Sequence, residues 1–65
     1  MADPNLDAVR REFADLTGLF DDAALIASDG QGVRSLESGR RRFKRISTAM
    51  DRIRRHLIIL EGRLK

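Results

Sequence analysis

The stretch LESGRRRFKRISTAMDRIRRHLIILEGRL, Leu36–Leu64, decides the fold. Leu36, Phe43, Met50, Leu57 and Leu64 recur every seven residues, and Gly39, Ile46, Ile53 and Leu60 fall between them at alternating spacings of three and four. That is an a/d heptad seam, the pattern of a coiled-coil helix that lies lengthwise on another helix. Gly39 is the one position that breaks its apolar rule.

Upstream, Leu6, Val9, Phe13, Leu16, Phe20, Ala23 and Ala27 form a second seam of the same kind. Asp3-Pro4 opens that helix: Asp3 or Asn5 can accept from the free N–H groups, and proline is tolerated in a first turn. A glycine inside a helix costs about 1 kcal/mol relative to alanine. The seam nevertheless keeps its phase across Gly18, so one unbroken helix is expected. Ser28-Asp29-Gly30-Gln31-Gly32 ends it, with Gly30 placed to take a left-handed conformation after the last turn. Ser35 is the best N-cap for the next helix. The expectation is an all-α fold: an antiparallel αα-hairpin with a helix over about 4–28, a turn at 29–33 and a longer helix over about 34–64. It forms a single helical-hairpin domain spanning 1–65.

Folding the chain at Gly30–Gly32 implies a register. It sets Asp21 and Asp22 level with Arg40 to Arg42, Asp15 with Arg45 and Ile46, Asp7 with Arg54, and Gly39 opposite Ala23. It also leaves the second helix overhanging the first by one or two turns, so that Leu57, Ile58, Ile59, Leu60 and Leu64 form an uncovered apolar tip. Soluble monomers avoid such contiguous patches. A second copy of the chain is the expected cover, giving a homodimeric four-helix bundle. The candidate oligomer or partner interface is Phe43, Met50, Ile53, Leu57, Ile58, Ile59, Leu60 and Leu64.

Length and composition agree with that need. A core made by 65 residues supplies only a few kcal/mol, and chains this small gain support from disulfides, a metal or a partner. There is no cysteine and only one histidine. Disulfides and thiolate metal sites are therefore out, an all-protein zinc site is not expected, and no cofactor is implied. The acidic start, Met1-Ala2-Asp3-Pro4, is not followed by an apolar stretch, so no secretory signal is expected. The longest apolar run, Leu57-Ile58-Ile59-Leu60, cannot cross a bilayer. The chain reads as cytoplasmic, with no transmembrane segment.

Charge is unevenly placed. Residues 1–30 hold seven acids against two bases, and residues 31–65 hold eleven bases against three acids. Either the acidic half faces the basic half, or the basic half faces a polyanion. Arg41, Lys44, Arg45, Arg52 and Arg55 lie outside the seam and are the candidate phosphate contacts. The competing expectation is that about half of the second helix's central bases (Arg40, Arg41, Arg42, Lys44, Arg45, Arg52, Arg54, Arg55) pair with the first helix or a second subunit. No aromatic residues are interleaved for base stacking, and no helix-turn-helix or zinc-finger spacing is visible.

Chemistry finds little purchase. Gly30-Gln31-Gly32 lacks the preceding strand and the lysine of a phosphate loop. Asp21 and Asp22 are adjacent and so diverge on a helix. His56 flanks the seam without a nucleophile–base–orienter set around it, and an interfacial or solvated role is expected. No catalytic residue is assigned and no enzyme activity is expected. The leading reading is a small interaction or regulatory module that homodimerises and binds another protein. Nucleic-acid binding through the Arg-rich outer face is the alternative, and attachment to anionic membrane through the basic, apolar-tipped helix is a third.

Overall fold

Asp3 accepts a hydrogen bond from the Asn5 backbone N–H at 2.9 Å, and Pro4 follows it in the first turn. The first helix, α1, runs unbroken from there over Pro4–Gly30, through Gly18 as the seam predicts. The computed structural model describes residues 3–65; Met1 and Ala2, read above as part of the acidic start, lie outside the described residues. The second helix, α2, spans Leu36–Leu64. Ser35 caps it, its hydroxyl accepting from the Ser38 N–H at 3.1 Å.

The turn departs from expectation. Asp29 and Gly30 stay helical, and no glycine among the described residues has positive φ, so the left-handed role given to Gly30 is not taken. Instead the Gln31, Gly32 and Val33 N–H groups donate to the Ser28, Asp29 and Gly30 carbonyls, at 3.1, 3.1 and 3.4 Å. These tightened i→i+3 bonds satisfy the last carbonyls of α1 without a left-handed residue. The chain reverses over residues 31–35, further along than the predicted 29–33, and α2 begins two residues later than expected.

That displacement resets the register. Glu12 meets His56, Asp29 meets Arg42, and the Asn5 side-chain amide donates to the Arg63 carbonyl at 3.1 Å. The helices are antiparallel, and the first turn of α1 reaches the last turn of α2. No overhang exists: the uncovered tip is corrected, since α1 runs beside α2 to its end. The predicted pairings of Asp21 and Asp22 with Arg40 to Arg42, Asp15 with Arg45, and Asp7 with Arg54 are corrected with it. Gly39 does not meet Ala23; a methyl group built on it would lie 3.9 Å from the Val33 side chain, in the turn.

Only one half of each predicted seam lies between the helices. Leu16 and Ala23 of α1 and Ala49, Ile53 and Leu60 of α2 are buried, with Val9, Leu19, Ile26 and Ile46 packed around them. The other half of each seam is exposed, as described below. The hairpin measures 55 × 16 × 9 Å between Cα extremes, with a radius of gyration of 15.5 Å. A compact 65-residue domain has a radius of about 11 Å. Its 5389 Å² of accessible surface compares with about 4,200 Å² expected of a globular monomer of its mass. No helix among the described residues is long and apolar enough to cross a membrane.

Candidate functional site

Each core position is followed four residues later by a side chain on one flank and preceded by one on the other. In an antiparallel pair the two helices are related by an approximate two-fold axis through the middle of the hairpin. Residues four ahead of the core on α1 and on α2 therefore share one broad face, and residues one behind the core share the opposite face. The sequence fills these faces differently.

The first face carries Leu6, Phe13, Phe20 and Ala27 from α1, and Leu36, Phe43, Met50, Leu57 and Leu64 from α2. The register set by Glu12–His56 and Asn5–Arg63 brings Leu6 level with Leu64, Phe13 with Leu57, Phe20 with Met50 and Ala27 with Phe43. The rungs are two helical turns apart, so the face is apolar along its length. Every large side chain in it is exposed: Phe13 by 54%, Phe20 by 53%, Phe43 by 68%. These are the chain's only aromatic residues. A monomer that left them in water would forgo roughly 1.5–3 kcal/mol for each such side chain fully buried.

The opposite face is charged. Asp15 and Asp22 of α1 stand along one side of it, and Arg45, Arg52 and Ile59 of α2 along the other. Asp22, Arg45 and Arg52 line one shallow recess together with Leu19, Ile26, Thr48 and Ala49. Acidic α1 does lie along basic α2, but few close pairs result. Arg42 Nη1 stands 3.8 Å from Asp29 Oδ2, and Arg63 Nε stands 3.8 Å from Glu12 Oε1. Among the described residues, Arg42 alone of the eight central bases makes an ion pair with α1. About half of them were expected to pair with α1 or a second subunit, and the hairpin itself supplies one such pair among the described residues.

A polar group interrupts the apolar ladder where this face meets the core. His56 Nδ1 lies 3.1 Å from Glu12 Oε2, and the Glu12 side chain is only 13% exposed. Arg63 approaches the second carboxylate oxygen. Glu12 occupies the same seven-residue series as Leu19 and Ile26, and His56 the same series as Ala49. Sequence reading placed His56 beside the seam but missed its partner; an acid in step with Leu19 and Ile26 was the available signal. Glu12, Asp15 and His56 bring a ligand atom each to within 4.8 Å of one another, a set that could hold a divalent cation. In this arrangement the Arg63 guanidinium already serves as a counter-charge to Glu12.

The candidate interface residues therefore divide. Phe43, Met50, Leu57 and Leu64 stand in the exposed apolar face. Ile53 and Leu60 are 2% and 6% exposed inside the hairpin, so they are corrected from partner contacts to intramolecular core. Ile58, one residue beyond Leu57, turns to the outer side of α2, and Ile59 lies beside His56, Arg52 and Leu19 on the charged face. Arg41, Lys44, Arg45, Arg52 and Arg55 are all exposed. The Arg55 Nε–H donates to the Asp51 carbonyl at 3.5 Å. Leu6, Phe13 and Phe20 were absent from the candidate set and belong to the same face as Phe43. The chain matches no protein-family model, no curated protein and no solved structure.

Proposed function

We propose that this protein is a small homodimerising interaction module. Two hairpins bury their apolar faces against each other as a four-helix bundle, and the outer surface of that bundle docks another protein. The observation that carries the reading is the row of rungs described above, in which all three phenylalanines lie exposed on one face. The face is apolar over both helices and has the symmetry that a two-fold contact uses, since the same patch must serve both partners. Its footprint is of the right order: a standard interface removes roughly 800 Å² from each partner, and the hairpin is 55 Å long and 16 Å wide. The surplus surface over a compact monomer points the same way. Sedimentation equilibrium tests the reading. A mass twice 7.4 kDa at micromolar concentration is expected, and a compact monomer at the highest soluble concentration would overturn it.

A second reading, from a different class, is favoured by one observation. The outer bases Arg41, Lys44, Arg45, Arg52 and Arg55 remain without carboxylate partners among the described residues, which leaves them available to phosphates. Such binding would weaken steeply with salt, because each neutralised phosphate releases counterions. Titration of a labelled duplex at two salt concentrations separates the readings. Retention that persists in an Arg41/Arg45/Arg52/Arg55→Ala variant with an unchanged salt slope removes this one.

A further inference from the structure

The apolar face admits two ways of laying one hairpin on another, and they differ in which helices touch. With the two-fold axis parallel to the helices, both turns lie at the same end and α1 packs on the partner's α2. With the axis across the helices, the turns lie at opposite ends, α1 packs on the partner's α1, and α2 on the partner's α2. We infer that the hairpins dock with their turns at the same end, each acidic α1 lying between its own basic α2 and that of the partner. This inference rests on the dimeric reading above and specifies its geometry.

Charge decides between the two. Helix α1 holds six acids and two bases, and α2 holds nine bases and three acids. Opposite-end docking sets the two basic helices side by side, whereas same-end docking alternates acidic and basic helices around the bundle. The residues on the outer margin of the apolar rows make the contrast local. On α1 these are Arg10, Thr17 and Ala24; on α2 they are Arg40, Ser47, Arg54 and Glu61. Same-end docking keeps the hairpin's own register, so Arg10 comes level with the partner's Glu61 and Thr17 with the partner's Arg54. Opposite-end docking rotates the molecule about the middle of the four paired rungs, Ala27–Phe43 to Leu6–Leu64, near Arg54, and sets Arg54 against the partner's Arg54. Arg10 and Glu61 are free to exchange partners. Among the described residues each pairs only with a near neighbour in its own chain, Arg10 with Asp7 at 3.8 Å and Glu61 with Lys65, just past the end of α2, at 3.2 Å, with both side chains largely exposed. Like-charge juxtaposition at an interface is what excludes the wrong arrangement. A consequence is that the two ridges of outer bases lie on opposite sides of the bundle rather than merging into one basic wall.

The chain has no cysteine, so a nitroxide label on Gln31→Cys, in the exposed turn, reports the geometry by double electron–electron resonance. Same-end docking places the turns one or two interhelical spacings apart, each roughly 8–10 Å, so the labels should lie within about 30 Å of each other. Opposite-end docking places them a distance apart comparable to the 55 Å length of the hairpin. A short distance supports the inference. A long one overturns it and leaves the dimer standing, whereas no defined distance together with a monomeric mass overturns the dimer itself. A charge exchange adds an independent reading. Arg10→Glu and Glu61→Arg should each weaken dimerisation about three- to five-fold, and the double variant should recover it. Failure of the double variant to recover affinity, with both singles weakened, would remove the Arg10–Glu61 contact on which the same-end alignment depends.

Discussion

The two broad faces of the hairpin are built from the same heptads and are chemically opposite. One carries Phe13, Phe20, Phe43, Met50 and Leu57 without a charge in its rungs; the other carries Asp15, Asp22, Arg45 and Arg52. Between them lies a thin core in which two of the five buried residues are alanines, Ala23 and Ala49. Those two alanines let the helices approach beside Leu16, Ile53 and Leu60, while all three phenylalanines stand outside. In a finished monomer the large side chains would be within, because burial scales with apolar area. The contrast teaches that the intramolecular core holds the hairpin in shape, while most of the aromatic area stays exposed on the single chain.

Substitutions that strike one face and spare the other break or sharpen that contrast. The largest effect is expected inside. Ile53→Asp puts a carboxylate at a position 2% exposed, and an unpaired buried charge of this kind costs more than about 4 kcal/mol. Helicity by far-ultraviolet circular dichroism should collapse at every concentration. Next comes the apolar face: Phe20→Asp, in a middle rung, should raise the dimer dissociation constant by more than about a hundredfold, the scale of a central interface anchor. Its melting temperature should then cease to depend on concentration, as mass action requires of a monomer. A wild-type melting curve that is itself independent of concentration would erase the distinction between the faces.

The polar pair gives a subtler signature. His56→Leu and Glu12→Leu alone each leave a half-buried partner unsatisfied and should cost about 1–3 kcal/mol in thermal unfolding. The Glu12→Leu/His56→Leu double variant should be at least as stable as the wild type, because apolar replacement of a paired group is commonly neutral or better. The smallest effect belongs to Gly18, on the margin of the charged face, where an added methyl group meets nothing within 4 Å. Gly18→Ala should stabilise the helix by about 0.5–1 kcal/mol, read as a rise in melting temperature.

Much of this is legible in the sequence. The helical period, the caps at Asp3 and Ser35, the passage of α1 through Gly18 and the reversal near Gly30 all follow from local residue chemistry. What sequence reading misplaced has one physical source. An apolar stripe three positions wide can be centred on either of two seams about 50° apart on the helix. Leu36, Phe43 and Met50 are greasier than Arg42, Ala49 and His56, so pattern reading centred the stripe on the former. Such a centre belongs to a helix with two neighbours; within one hairpin the stripe turns toward Ala49. The register erred for a local reason: Asp29 and Gly30 extend α1, moving the midpoint of the reversal from Gln31 to Val33. That shift removes the overhanging tip and places the surplus apolar surface along the whole face.

The Glu12–His56 contact has a meaning beyond its energy. A ladder whose rungs repeat every seven residues can slide by one repeat and still match leucine to leucine or phenylalanine to methionine. Sliding α1 either way by that amount sets His56 against Asn5 or Leu19 and strips it of its carboxylate. One polar rung thus acts as an address on an otherwise monotonous track, and it would keep its force if an α1 were ever offered to the α2 of another molecule.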